Sequence, residues 1–245
     1  MRSSWGSESV DGATADSGID ATDHLCERYW AGTVNPSFGL LSGRVLMTDP
    51  FGRDPRDRRS TRRPLPGPPR RPRLFLEVLV TLEARLTDLR HVVDYFDLDS
   101  YALFGSSFGG TVALHTAAVD DRVTAVATRA PVTTAGTFDE PRAAVERDGE
   151  WTFDTGERLD HRFFESLDRH PFDDVVGSLS APVAIFHGGD DAVVDPADSF
   201  DAAKRLETDV SLERFAGEGH RFSRAGERRL LERLFDWLEW VERRH

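Results

Sequence analysis

The chain has 245 residues, 43 of them acidic and 31 basic, for a formal net charge of −12. With 39% hydrophobic residues, including 16 Phe and 5 Trp, it can build a sizeable core as one large domain or two small ones. No run approaches the roughly 18 consecutive apolar residues of a membrane helix. The N-terminal stretch lacks the apolar segment of a secretory signal, and a single cysteine, Cys26, cannot form an internal disulfide. A membrane span and a cysteine-ligated zinc site are thereby excluded, and a soluble cytoplasmic protein is expected.

Thirty of the basic residues are Arg and only Lys204 is Lys, while Asp outnumbers Glu by 27 to 16. Such a surface is strongly hydrated and repels itself, as in salt-adapted proteins whose charges are screened by concentrated counterions. An Arg-rich coding composition accounts for part of the same pattern. The acidic balance argues against nucleic-acid binding.

Residues 1–24 are rich in Ser, Gly, Asp, Ala and Thr and read as disordered. Trp30 and the stretch Gly43 to Met47 have room for one strand. Residues 51–73 then hold nine Arg, two Asp and six Pro, a local charge of +7 that leaves −19 on the other 222 residues. Prolines at this spacing forbid a helix or a central strand. Three readings fit the stretch: a solvated polyproline-like linker, a basic anion-binding arm, or translation in a frame other than the one encoding the rest. The segment 1–79 therefore stands apart, with early strands not recognisable.

Residues 80–245 read as alternating strands and helices. Leu82, Leu86, Leu89, Val92, Val93 and Phe96 recur at helical spacing. Tyr101 to Phe104 is a short buried strand ended by Gly105, and Phe108 to Ala118 is a helix. Val123 to Thr128 is the next strand. The span 132–180 is longer and irregular, with Trp151, Phe153, Phe163 and Phe164. Strand 182–186, a helix at Ala197 to Leu206 opened by Asp195 and Pro196, strand 210–215 and a closing amphipathic helix through Val241 complete the chain. This alternation predicts an α/β architecture, a doubly wound, mostly parallel sheet covered on both faces, with 132–180 as a small cap insertion.

Gly105, Ser107 and Gly109 form G-x-S-x-G between a strand and a helix. A serine on so tight a turn projects its hydroxyl above the sheet, small flanks admit a strained backbone, and the helix N-terminus beneath favours developing negative charge. Ser106 is a rival hydroxyl, but the central position belongs to Ser107. A nucleophilic serine needs a base, and the base an orienting acid, in the order Ser, Asp, His after later strands. His220 follows the last strand. Asp190, Asp191 and Asp195 follow the one before. Asp191 is favoured because the following Ala-Val-Val can pack and hold it, Asp190 is second, and Asp195 reads as a helix cap.

These pieces resemble the α/β-hydrolase fold superfamily, in its branch of small esterases and serine-aminopeptidase-like (S33-type) hydrolases, cinnamoyl and feruloyl esterase-like members included. The resemblance is carried by Thr81 to Leu89, Gly105 to Gly110, His187 to Val194 and Glu218 to Phe222, and spans about residues 80 to 243. It implies Ser107 as nucleophile, His220 as general base, Asp191 as orienting acid and the backbone N–H of Phe108 as one oxyanion donor. It implies no metal and no cofactor, and a small-molecule ester or peptide-like substrate. The upstream third departs from the family. Its members place a His-Gly pair after an early strand to supply the second oxyanion donor, whereas the one His-Gly here is His187-Gly188. Asp49 to Arg53 is at best a remnant of an Asp-Arg-Gly-type turn. Hydrolysis of carboxylic esters is the leading expectation. The alternatives are a peptidase, for which Asp139, Glu140, Asp148 and Glu150 are candidate amine-binding acids, or an impaired, incompletely folded homologue lacking the second oxyanion donor.

Overall fold

The computed structural model describes residues 29–32, 45–48, 81–153 and 158–244. Its organising feature is a six-stranded sheet in the order β1-β2-β3-β4-β7-β8. The strands are β1 (Tyr29–Gly32), β2 (Val45–Thr48), β3 (Tyr101–Ser106), β4 (Val123–Arg129), β7 (Val183–Gly188) and β8 (Val210–Phe215). The last four run parallel, and β1 and β2 form an antiparallel hairpin whose inner strand pairs antiparallel with β3. β2 lies in the upstream stretch where one strand was expected, and Trp30 falls in a second. Register places Leu46 opposite Phe104, so Gly32 and Val45 sit toward the end of the sheet where β3 finishes.

Side chains alternate across the parallel strands and divide the core in two. Tyr101, Leu103, Val126, Val183 and Ile185 face one side, where they pack with α1 (Leu82–Phe96), α2 (Phe108–Ala117) and α6 (Pro196–Arg205). Ala102, Ala125, Ala127, Ala184 and Phe186 face the other. The four alanines make room for the bulky stripe of α7 (Arg224–Glu242), where Leu230, Leu234, Leu238 and Val241 recur at four and three residues beside Phe235 and Trp237. A register shift lets Tyr101 pair with Val123 but Ala102 with Ala125. The extra residue, Thr124, reverses the facing of β4, which is why Val123 and Val126 share one face.

The segment between β4 and β7 is more regular than its sequence suggests. After a 3₁₀ turn (Ala135–Phe138) come α3 (Asp139–Asp148), a two-residue hairpin of β5 (Trp151–Thr152) and β6 (Arg158–Leu159), α4 (His161–Arg169) and α5 (Phe172–Val176). Ser166 of α4 ties back to α1, its Oγ accepting from Leu82 N at 2.8 Å and donating to Glu83. Strand ends differ from expectation in one direction. The ladders of β3, β4 and β7 continue to Ser106, Arg129 and Gly188, beyond the Phe104, Thr128 and Phe186 boundaries read from apolar runs. The parallel ladder continues through polar and small residues that periodicity cannot count. The Arg/Pro-rich stretch 51–73 lies outside the described residues. Among those described, no helix is long and apolar enough to cross a membrane.

Candidate active site

Because β3, β4, β7 and β8 are parallel, their carboxyl ends open on one edge of the sheet, and the loops that follow them meet there. The first is the turn from β3 into α2. Ser107 occupies it with φ 55° and ψ −127°, a sparsely populated conformation for a residue bearing a Cβ, held at a cost on the order of 1–3 kcal/mol. Its N–H donates to Arg129 O at 2.8 Å, and its carbonyl accepts from Gly110 N at 2.8 Å. Gly105 is required here by close approach: a Cβ on it would lie 2.2 Å from Gly109 O. Gly110 is needed for the same reason against Pro131.

The second loop follows β7 and carries Asp191, the third follows β8 and carries His220. They are stitched together by Asp190 N donating to Glu218 O at 2.9 Å and Gly189 N donating to Phe215 O at 2.8 Å. Gly188 lies beneath the stitch, where a Cβ would meet both Glu218 O and Gly219 O at 2.5 Å. The turn into the third loop uses Gly217 at φ 78°.

These loops bring the three predicted side chains into one line. His220 Nδ1 lies 2.8 Å from Asp191 Oδ2, and His220 Nε2 lies 3.0 Å from Ser107 Oγ. A carboxylate only accepts, so Nδ1 carries the proton and Nε2 is left to accept from the Ser107 hydroxyl. Asp191 Oδ1 accepts from Val193 N at 2.8 Å and Val194 N at 3.0 Å. The two valines therefore hold the acid with backbone N–H groups, not chiefly by the side-chain packing expected; Val194 is buried, but Val193 is exposed. Burial alone would push the Asp191 carboxyl upward. The hydrogen bonds donated by His187, His220, Val194 and Val193 outweigh it and hold the group well below the usual carboxylate range, so it stays ionised.

The rival residues are otherwise engaged. Ser106 Oγ accepts from Arg129 Nε at 2.9 Å, and the Arg129 guanidinium lies over the Phe222 ring. Asp190 is exposed beside Arg214, and Asp195 caps α6 by accepting from Ala197 N at 2.9 Å. Phe108 opens α2, so its N–H is one of the first-turn groups without an intrahelical acceptor. Its ring is buried against Phe163 and Phe138.

The other singled-out residues are engaged elsewhere, except that Phe163 packs against the Phe108 ring. Phe163 and Phe164 are buried core, the latter under Arg142, and Trp151 packs edge-on against Phe153. Asp139 and Glu140 begin α3 and Asp148 ends it, about 13 Å away along the axis. Asp148 and Glu150 are paired with Arg147 and Arg158. Two side chains at the site escaped sequence reasoning: His187, which contacts Asp191, and Ser199 behind it. The signal was a histidine four residues before the acid at the end of a buried strand.

A mostly parallel sheet wrapped by helices, with a Gly-flanked serine turn at its carboxyl edge, defines an α/β hydrolase, an enzyme of the serine hydrolase class. The family follows from the sequence match: residues 86–243, nearly two-thirds of the chain, fit the model of the prolyl oligopeptidase family, and the chain belongs to it. No curated protein matches. Solved structures share the fold. They include alpha/beta hydrolase domain-containing protein 10 from mouse (23% identity, 66% of this chain and 70% of that one, TM-score 0.56). Monoacylglycerol lipase from Paleococcus ferrophilus is similar at 16% identity over 67% of this chain and 76% of that one, TM-score 0.52. Est1E from Butyrivibrio proteoclasticus is similar at 22% over 66% and 68%, also with TM-score 0.52.

Proposed function

We propose that this chain hydrolyses carboxylic esters of small molecules through Ser107, His220 and Asp191. The carrying observation is the unbroken hydrogen-bonded line from Ser107 Oγ through the His220 ring to a buried, ionised Asp191. His220 Nε2 takes the Ser107 proton as Oγ attacks the ester carbonyl. Asp191 keeps the imidazole in the required tautomer and stabilises its cation. The Phe108 N–H, at the helix terminus beside Oγ, donates to the tetrahedral oxyanion. His220 then returns the proton to the leaving alcohol, and water repeats the sequence on the acyl-enzyme. The elements between β4 and β7 form a cap over the serine turn, anchored through the Phe108, Phe138 and Phe163 rings.

The expected result of Ser107→Ala is loss of ester hydrolysis by at least about 10⁴-fold with little change in thermal midpoint; full activity in that variant removes the proposal. Membership of a peptidase family favours a second reading, cleavage of peptide bonds. Against it, the acidic residues available to hold a substrate amine are spread along α3 or paired with arginines. Parallel turnover of short 4-nitrophenyl esters and aminoacyl 4-nitroanilides separates the two. Fluorophosphonate labelling of Ser107 separates both from a homologue without a working oxyanion hole.

A further inference from the structure

The last residue but one of β7 is a histidine that the mechanism above does not use. The His187 ring is 1% exposed, and its two nitrogens face three partners. Nδ1 lies 2.6 Å from Ser199 Oγ, itself wholly buried on α6. Nε2 lies 3.1 Å from the Val194 carbonyl and 3.3 Å from Asp191 Oδ2. A carbonyl and a carboxylate both only accept, so Nε2 carries a proton and donates. In the neutral ring Nδ1 then accepts from the Ser199 hydroxyl. The two acceptors at Nε2 thus fix the tautomer, and Ser199 supports it by donating to Nδ1.

Packing alone does not account for this placement. Ser199 and the Val194 carbonyl already satisfy both ring nitrogens, so the approach to Asp191 exceeds what a buried imidazole needs for itself. The oxygen approached is Oδ2, the one that holds His220. Asp191 therefore has four N–H groups around a side chain with no exposed surface: Val193 N and Val194 N on Oδ1, His220 Nδ1 on Oδ2, and beside the same oxygen the single His187 Nε2–H, shared with the Val194 carbonyl. Among the described residues, Asp191 is the charged group in contact with the His187 ring.

We infer that His187 is a positioning residue that holds Asp191 in place and sets how strongly its carboxylate supports positive charge on His220. This rests on the reading of Ser107, His220 and Asp191 as the catalytic groups. The N–H that His187 shares between the Val194 carbonyl and Oδ2 draws charge away from that oxygen. Removing it leaves a carboxylate that binds the His220 imidazolium more tightly but is less firmly oriented. His220 then keeps its proton to higher pH and is a poorer base at neutral pH.

The test is the second-order rate of Ser107 labelling by a fluorophosphonate, measured from pH 5 to 9, with thermal midpoints recorded for each protein. His187→Leu is expected to label about tenfold more slowly at pH 7, with the acidic limb of its profile moved up by about half a pH unit. His187→Gln, whose amide can donate toward the same oxygen, is expected to recover to within about threefold and to return the limb to its original place. A purely structural role would lower the midpoint of both variants and leave the limb unmoved. A folded His187→Leu with the wild-type rate and profile overturns the inference, as does a His187→Gln that behaves like the leucine variant. Should His187→Leu fail to fold, Ser199→Ala carries the test. It removes the hydrogen bond that holds the ring at Nδ1 and is expected to shift the limb the same way by less, and a wild-type profile there overturns the inference. Wild-type protein that does not label, or full activity in Ser107→Ala, sinks the catalytic reading itself and this inference with it; an unshifted His187 series on a labelling enzyme sinks this inference alone.

Discussion

A histidine away from the site gives the acid stability of the protein a specific handle. His115, on α2, is buried, and burial holds its ring down to about pKa 4, with the neighbouring His170 reinforcing the shift and Asp174 opposing it. The unfolded chain takes up this proton near pH 6.5, the folded chain only near pH 4. The contribution of a neutral His115 is therefore intact above pH 6.5, declines as pH falls between the two values, and is lost below the lower one. The decline is on the order of 3 kcal/mol. His115→Leu keeps the apolar volume without the titration, so its unfolding free energy, measured by denaturant at pH 7, 6, 5 and 4.5, is expected to fall less steeply than that of wild type. Parallel slopes would show that the ring is hydrated in the folded protein. Asp191 acts in a lower window: its depressed carboxyl stabilises above the ordinary carboxylate range and the contribution is lost as pH falls through and below that range.

At the scale of elements, the site depends on two places where backbones approach too closely for any side chain. A methyl on Gly105 would press into the Gly109 carbonyl inside the first turn of α2, where neither partner can move without opening the serine turn. Gly105→Ala is expected to cost at least about 3 kcal/mol of stability, read as a fall in thermal midpoint. Gly188→Ala presses on the 218–219 backbone, which belongs to a loop and can retreat. The expected result is a folded protein in which His220 is displaced and labelling of Ser107 falls about 100-fold. The same contrast explains what the sequence made legible. Ser107, Asp191 and His220 were found because each occupies a loop just after a strand, and strand order follows from local periodicity. The parallel sheet and the closing helix were legible for the same reason. The helices between β4 and β7 were not: α5 has five residues and α4 nine, too few turns for a periodic pattern to emerge from an irregular background. His187 and Ser199 were invisible as a pair because their link is made by folding α6 onto β7. Val193 and Val194 were noticed, but their N–H groups matter more to the acid than the side chains that drew the eye.

For the molecule as a whole, the question is what an excess of twelve negative charges does to stability. Many arginines are committed to local pairs, such as Arg122 with Asp120, Arg142 with Asp168 and Arg244 with Asp209. An exposed pair such as the last contributes at most about 1 kcal/mol. The pairs also leave acids facing acids: on α7, Glu232 and Asp236 are exposed one turn apart, an arrangement that is repulsive in low salt. Raising ionic strength to about 1 M shortens the screening length to roughly 3 Å, which removes repulsion between surface acids while sparing contacts at hydrogen-bond distance. If the composition is an adaptation to salt, the thermal midpoint is expected to climb by about 5 °C or more between 0.1 and 2 M KCl, with hydrolase activity rising in parallel. Salt can stabilise by routes other than screening, so the charge itself is varied in the control. Replacing exposed Glu165, Glu232 and Asp236 by lysine takes the net charge from −12 to −6. If repulsion is the cause, the triple variant gains stability at low salt and its midpoint depends less steeply on KCl. A variant that keeps the wild-type slope would mean that the acidic surface does not set the salt response, leaving the abundance of arginine to a coding bias that has no consequence for folding.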